Sequence, residues 1–221
     1  MDTPRTRFAT TVDGQAIAYA VNGSGPYLVA LPSPPDNHIE LEWADPDRRA
    51  VLEQLGRYCS VVRFDGRGTG ASDREATDFS LDARLRDLEA VLDQFGNPLG
   101  ILLTGGHGSQ LAIAYAAAHQ DLVTKIVLVD PFTRGEQFME RDRLAMWRGM
   151  LQTDYEMFTG ALGAEMFGWG REEGREFSEY FRRCANADAA LGLYSAMLEV
   201  DLTEMLPAVE APTLVIRSVE E

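Results

Sequence analysis

The sequence predicts an α/β fold, with one mostly parallel β-sheet and helices on both of its faces. Continuously apolar segments at residues 27–31, 61–64, 101–103 and 126–129 have the composition of buried strands. Helical patterns alternate with them, as in sheets whose parallel strands are joined by crossover helices. With 221 residues, 45% of them apolar, the chain can bury the core of one domain and is short for two.

Short-range signals predict the elements that precede and separate these strands. Residues 8–22 alternate around a glycine-containing turn and predict a hairpin. Residues 46–57 predict a helix that begins with Pro46 and has Ala50, Val51, Leu52 and Leu55 toward the core. A further helix is predicted after Ser80, a suitable N-cap, because leucine and valine then recur at three- and four-residue spacing.

Residues 134–205 interrupt this alternation. They carry methionine, phenylalanine and tryptophan in helical patterns and have almost no strand signal. We predict a helical lid inserted over one end of the sheet, between an N-terminal core of residues 1–133 and a returning core strand within residues 206–221. The three segments are expected to form one domain.

Composition argues against several kinds of partner and location. The net charge of −15, from 20 basic and 35 acidic residues, opposes binding to nucleic acid. No apolar run approaches the roughly 18 residues of a membrane span, and the first residues lack the apolar region of a signal peptide. We therefore expect a cytoplasmic protein without membrane contact. Cys59 and Cys184 are interpreted as buried or partly buried thiols, and no Cys/His spacing suggests a metal site.

Four segments together resemble the α/β-hydrolase superfamily. Residues 65–72 match its D-x-R-G-x-G-x-S turn, and residues 211–216 resemble a late core strand. Residues 114–119 and 127–131 are similar to the helix after its nucleophile and to the next strand. The resemblance implies a serine–histidine–acid site and a sheet truncated after its penultimate core strand. Residues 38–46 are similar, more narrowly, to hydrolase domains associated with adenylate cyclase or transcription-regulator modules.

The nucleophile of that family would lie in the turn at residues 104–108, which reads Thr-Gly-Gly-His-Gly. The resemblance of the following helix places the nucleophile position at Gly106, so the turn is kept and the attacking oxygen is missing. Gly106 can adopt the positive φ that the turn needs. Gly105 is a candidate ligand contact. The imidazole of His107 is a candidate base or anion-binding group, or else an ordinary loop side chain.

The other parts of a serine-type site are altered as well. In the family the base follows the last strand, but this sequence has no histidine after His119. Glu221 is near the expected spacing of the acid, although a solvated chain end explains it equally, and Asp130 is the alternative acid. Three prolines remove N–H donors from the loop after residue 31, which leaves Ser33, Asp36 or no donor at all.

Four side chains are predicted as ligand contacts, two of them in that loop and two in the lid: Ser33, His38, Trp147 and Phe158. His38 has packing in the loop as its alternative. The aromatic stripe of the lid can be the roof of a pocket, plain packing, or both. The glycine-rich turns do not match the G-x-G-x-x-G of a dinucleotide site, and we expect no cofactor.

These departures favour a pseudo-enzyme that binds a small apolar or ester-like ligand. Two alternatives keep a hydrolase: a non-serine mechanism in which His107 or His38 activates water or substrate, and a truncated form of an active enzyme. A third hypothesis is a non-functional fragment. A sheet without its last strand would expose an edge, which predicts poor stability or homo-oligomer formation.

Overall fold

The computed structural model describes residues 3–218, and the strands within that range form one seven-stranded sheet. They are β1 (Arg7–Thr10), β2 (Ala16–Gly23), β3 (Tyr27–Ala30), β4 (Ser60–Phe64), β5 (Gly100–Gly105), β6 (Val123–Val129) and β7 (Thr213–Ile216). Their spatial order is β1-β2-β4-β3-β5-β6-β7. β2 is antiparallel to both β1 and β4, and the other neighbouring pairs are parallel. The predicted hairpin and the mostly parallel sheet are confirmed.

Eight α-helices accompany the sheet in the described residues: α1 (Ile39–Ala44), α2 (Pro46–Leu55), α3 (Leu81–Asp93), α4 (Gly108–Ala118), α5 (Arg141–Thr153), α6 (Tyr155–Phe167), α7 (Glu172–Cys184) and α8 (Ala187–Leu198). The first four lie between strands, whereas the last four follow one another between β6 and β7. We call α5–α8 the helical region. In the part of the chain that the structure describes, no helix has both the length and the apolar composition that crossing a membrane requires.

Neighbouring residues of the central strands enter different apolar cores. Leu28 of β3 and Val61 of β4 pack with Trp43 of α1 on one face of the sheet. The next residues, Val29 and Val62, join the core that includes side chains of α3 and α4. Side chains of a strand alternate between faces, so this division shows that helices cover both faces, as predicted.

Local sequence signals predict the start of α3 correctly, but they predict the buried face of α2 only in part. The side chain of Ser80 accepts a hydrogen bond from the N–H of Ala83 at 3.2 Å, so the predicted cap of α3 is confirmed. The prediction for Val51 is wrong, because its side chain is 60% exposed. The prediction for its neighbour Leu52 is confirmed, because Leu52 is the buried residue of α2 and packs under the sheet.

The glycine-rich turn after β4 is held by buried polar contacts. The Nε of Arg67 donates to Asp87 at 2.9 Å, and another guanidinium nitrogen donates to Asp13 at 2.9 Å. The hydroxyl of Ser72 accepts from the N–H of Ala18 at 2.8 Å. These contacts fix the turn against the hairpin and α3, so the motif that carries the family resemblance is structural here.

β7 is an edge strand of the described sheet. Leu214, Val215 and Ile216 are 57%, 51% and 45% exposed, so this edge is both apolar and accessible. Exposed apolar edges favour pairing with another chain. Self-association through β7 stays a prediction.

Candidate functional site

A sharp strand-to-helix turn joins β5 to α4. Gly106 has a φ of +44°, which confirms the predicted positive value, and its N–H donates to the carbonyl of Val129 at 2.9 Å. A β-carbon at Gly108 would come within 2.6 Å of the Pro32 carbonyl oxygen. The glycine at residue 108 therefore lets the loop after β3 approach the beginning of α4 closely.

The space beside Gly106 is bordered by Ser33. A β-carbon built on Gly106 would have a single neighbouring atom within 4 Å, the hydroxyl oxygen of Ser33 at 3.6 Å. The hydroxyl of the other nearby serine, Ser109, is already hydrogen-bonded. It donates to the carbonyls of Gly106 and Phe132 at 2.6 and 3.1 Å. The structure thus brings Ser33 next to the predicted nucleophile position.

A cavity of about 260 Å³ lies between this turn and the helical region. His107 and Asp36 contribute polar groups from the sheet side. Its wall is otherwise mostly apolar and includes Phe138, Trp147, Leu162, Phe177, Phe181 and Tyr194. A mostly apolar concavity with a few convergent polar groups is typical of small-molecule sites.

The imidazole of His107 is buried in this cavity, close to the backbone carbonyl of Pro34. Its residue is 9% exposed, and the ring meets Phe138 edge to face with centroids 4.1 Å apart. Both ring nitrogens lack a hydrogen-bond partner among the described residues. Burial lowers the pKa of His107 to about 4, opposed by the nearby Pro34 carbonyl and assisted by Arg84. The ring is therefore neutral at pH 7, with one N–H donor and one acceptor.

Asp36 supplies a carboxyl group to the same cavity. Burial raises its pKa to about 6, while its own N–H and the charge of Arg48 oppose that rise. Asp36 was predicted only as an N–H donor, and the role of its side chain was missed. An acidic residue at the carboxyl end of a parallel strand was the available signal, because ligands of open α/β sheets bind at that edge.

The rim of the cavity carries two charges that pair with each other. Arg143 of α5 and Glu165 of α6 form an ion pair, and both side chains are about half exposed. The guanidinium carbon of Arg143 also lies 5.0 Å from the centre of the Trp147 ring. The paired rim charges largely cancel, so Asp36 determines the charge deeper inside.

The two aromatic residues predicted as ligand contacts lie at different depths. Trp147 lines the cavity. Phe158 is 1% exposed and packs against Trp147 with ring centroids 5.3 Å apart, outside the lining. Phe158 thus supports the wall and does not face the cavity.

His38 lies apart from the cavity and faces another carboxyl group. Its Nδ1 is 3.9 Å from Asp65, and burial is the main cause of its lowered pKa. The carboxyl of Asp65 accepts N–H hydrogen bonds from Ile39 and Ala71 at 2.9 and 2.8 Å. The structure therefore places His38 in the packed loop between β3 and α1.

Asp130 and Gly105 are also separate from the cavity lining. Asp130 follows β6 with a φ of +47° and accepts from the N–H of Ser218 at 2.7 Å and from its hydroxyl. These hydrogen bonds lower the pKa of Asp130. Gly105 pairs with Val129 in the sheet. Glu221 lies outside the described residues.

Comparison with known proteins gives one family and several hydrolases. The model of the alpha/beta hydrolase fold family matches residues 40–199. A proline iminopeptidase of Saccharolobus solfataricus is 32% identical over 114 residues, covering 50% of this chain and 34% of that protein. An N-formylmaleamate deformylase of Pseudomonas putida is 28% identical over 167 residues, covering 74% of this chain and 62% of that protein. The chain thus spans between about a third and two thirds of the length of these relatives.

Solved structures resemble the fold over nearly the whole chain. A hydrolase from Pseudomonas aeruginosa has a TM-score of 0.79 at 23% identity, covering 97% of this chain and 80% of that chain. An esterase from Exiguobacterium antarcticum has a TM-score of 0.78 at 23% identity, covering 96% and 80%. At such identities the likeness concerns the fold. The narrower resemblance of residues 38–46 stays a prediction.

Proposed function

The chain belongs to the alpha/beta hydrolase fold family, and from this premise we propose that it binds a small, mostly apolar ligand above its glycine turn without forming a serine acyl-enzyme. One observation carries the proposal. The turn that would present a nucleophile carries no side chain at Gly106, yet a cavity with Asp36 and His107 on its sheet side is formed beside it. Covalent acyl transfer needs an activated nucleophile, whereas binding needs only the cavity.

The cavity favours a small ligand with one polar end. Its volume of about 260 Å³ is below the roughly 300–1,000 Å³ of drug-sized pockets. Aromatic side chains of α5, α7 and α8 would contact the apolar part, and in this proposal the helical region serves as the lid. The polar end would lie toward Asp36 and His107.

A second candidate function is hydrolysis by activated water, and the carboxylate of Asp36 favours it. A general base works best when its pKa is near the working pH. The pKa of Asp36, about 6, meets this condition better than that of His107, about 4. Positioned acid–base groups contribute only about 10²–10⁴-fold in rate. We therefore rank slow turnover behind binding.

Labelling with a fluorophosphonate probe tests the absence of a serine nucleophile. We expect no labelled serine by peptide mass spectrometry, because Gly106 of the glycine turn carries no hydroxyl and Ser109 is hydrogen-bonded to two carbonyls. A chymotrypsin sample is the positive control. A rapidly labelled serine at any position would overturn the proposal.

Filling the cavity tests the binding function. Leu162 lines the wall and is partly buried, so Leu162→Phe adds volume to the cavity while Leu162→Met conserves it. Methyl phenylacetate and N-methylphenylacetamide serve as probes. We expect a ligand-dependent rise in Tm for the wild type and Leu162→Met, and none for Leu162→Phe. The same rise in all three proteins, or in none, would contradict binding in this cavity.

A further inference from the structure

The hydrogen-bonding groups of the cavity determine which small ligands it binds best. This inference rests on the ligand-binding function proposed above. Asp36 and His107 both line the cavity from the sheet side. His107 is 9% exposed, and both of its ring nitrogens lack partners among the described residues. A buried imidazole without hydrogen bonds is costly, so a ligand that supplies them is favoured.

The charges that line the cavity disfavour one class of ligand, the acidic ones. Arg143 and Glu165 are paired with each other at the rim. The imidazole of His107 is neutral, which leaves the carboxylate of Asp36 as the remaining charge of the described lining. The charge of Arg48, which is not part of the lining, offsets it only in part. A ligand carboxylate would approach this like charge in an apolar setting, so acidic ligands are disfavoured.

Hydrogen-bond chemistry then distinguishes an amide from an ester. An ionised carboxylate only accepts hydrogen bonds, whereas a neutral imidazole donates one and accepts one. An ester offers acceptors alone, so it can bind the N–H of His107 but brings no donor to Asp36. An amide offers a carbonyl acceptor and an N–H donor on adjacent atoms. It can therefore satisfy both groups.

We propose that this cavity prefers small apolar molecules bearing an N–H amide group over the corresponding esters, with Asp36 accepting from the N–H and His107 donating to the carbonyl. A protonated amine would also pair with Asp36. It offers no acceptor for the donor of His107, and its charge would be taken into a wall of aromatic side chains. The amide is thus the better match.

The test compares three ligands that share one skeleton. N-methylphenylacetamide, methyl phenylacetate and phenethylamine are titrated into the full chain at pH 7.5 by calorimetry, with product analysis to detect turnover. Hydrogen bonds to charged groups are the stronger class, so we expect the amide to bind about tenfold or more tightly than the ester. We expect the amine to bind more weakly than the amide.

Substitutions assign the preference to the two side chains. Asp36→Asn keeps the size and adds an N–H₂ donor, so the amide and the ester should then bind within about threefold of each other. His107→Phe removes the donor for the carbonyl and should weaken both ligands by a similar factor. Asp121→Asn removes an exposed carboxylate between α4 and β6 and should leave the ratio unchanged.

The outcomes separate this inference from the proposed function. If the amide and the ester bind the wild type equally, ligand binding stands and the amide preference is overturned. If the amine binds best, the preference is overturned in favour of simple charge pairing. If none of the three binds, the proposed function itself fails. A preference that persists in a folded Asp36→Asn protein, checked by circular dichroism, would also overturn the role of Asp36.

Discussion

The hydroxyl oxygen of Ser33 lies 3.6 Å from the point where a β-carbon on Gly106 would stand. This is ordinary van der Waals contact, so the turn has room for a side chain at the position that lacks one. The backbone is the obstacle, because the φ of Gly106 is +44° and L-residues are strained there.

We therefore expect Gly106→Ala and Gly106→Ser to fold with a loss of about 1–2 kcal/mol in the free energy of unfolding. Urea denaturation measures it. Gly105→Ala is the matched control, since Gly105 lies in β5 and its added β-carbon would be 3.5 Å from the Val129 carbonyl. A larger loss for Gly105→Ala than for Gly106→Ala would contradict the role of the positive φ.

A serine at residue 106 should still acylate slowly. His107 is the histidine of the cavity lining, and burial lowers its pKa to about 4, so it is a weak base at neutral pH. We expect Gly106→Ser to react with a fluorophosphonate only weakly and to show no fast ester turnover. Rapid hydrolysis by this variant would show that an effective base is present.

The buried imidazole of His107 should make the protein sensitive to mild acid. Its pKa falls from 6.5 to about 4 on folding, so its contribution to stability is complete above pH 6.5 and is lost as pH falls from 6.5 to 4. The loss amounts to about 3 kcal/mol, at about 1.4 kcal/mol for each pKa unit. Urea denaturation across this range measures it.

Two variants test whether His107 causes this pH dependence of the free energy of unfolding. In His107→Gln the part of the pH dependence that His107 causes should disappear, whatever the absolute stability of the variant. His119→Gln changes a histidine outside the cavity, where the ring stacks on Tyr115. If the difference between wild type and His107→Gln stays constant from pH 7 to pH 4, the assignment to His107 is wrong.

The fold was predictable because its signals are local. Apolar runs and helical spacing placed the sheet and α3, and Ser80 marked the start of that helix through its own side chain. Val51 was misassigned because the buried face of α2 depends on which neighbour packs against it. Leu52, which was also predicted to face the core, is the residue of α2 that packs under the sheet.

The site was only partly predictable because it joins distant segments. Asp36 and His107 share a cavity whose opposite wall comes from α5–α8, more than a hundred residues after Asp36 in the sequence. The sequence also cannot separate Trp147 from Phe158, which belong to one apolar stripe. The structure shows that one lines the cavity and the other lies behind it.

The pair of Arg67 and Asp87 should dominate the stability of the glycine-rich turn. Their side chains are 2% and 1% exposed, and Asp87 accepts from both the guanidinium and the N–H of Arg67. Removing one partner of a buried ion pair costs about 3–5 kcal/mol. We expect such a loss for Asp87→Asn, measured by urea denaturation.

An exposed ion pair provides the control for this prediction. Glu136 and Arg141 are paired with side chains that are 61% and 56% exposed. Exposed pairs contribute about 0–1 kcal/mol, so Glu136→Gln should have little effect. Similar losses for Asp87→Asn and Glu136→Gln would contradict the importance that burial gives to the Arg67 pair.

Ligand selectivity in the cavity should depend on pH through Asp36. Arg48 of α2 lowers the pKa of its carboxyl and Glu42 of α1 raises it. Two further ionisable groups interact with it, the thiol of Cys184 and the phenol of Tyr194. Burial raises the pKa of Cys184 to about 12 and that of Tyr194 well above 10, so both stay protonated near neutrality.

Asp36 is therefore the group that titrates in the cavity near pH 6, because the pKa of His107 is about 4. Above pH 6 the ionised carboxylate accepts from an amide N–H. As pH falls through 6 it gains a proton and can donate to an ester oxygen, so we expect the amide-to-ester affinity ratio to decrease toward one. Calorimetric titrations from pH 7.5 to pH 5 measure the ratio, and Asp36→Asn should show no such change. A ratio that rises on acidification would mean that another group provides the selectivity.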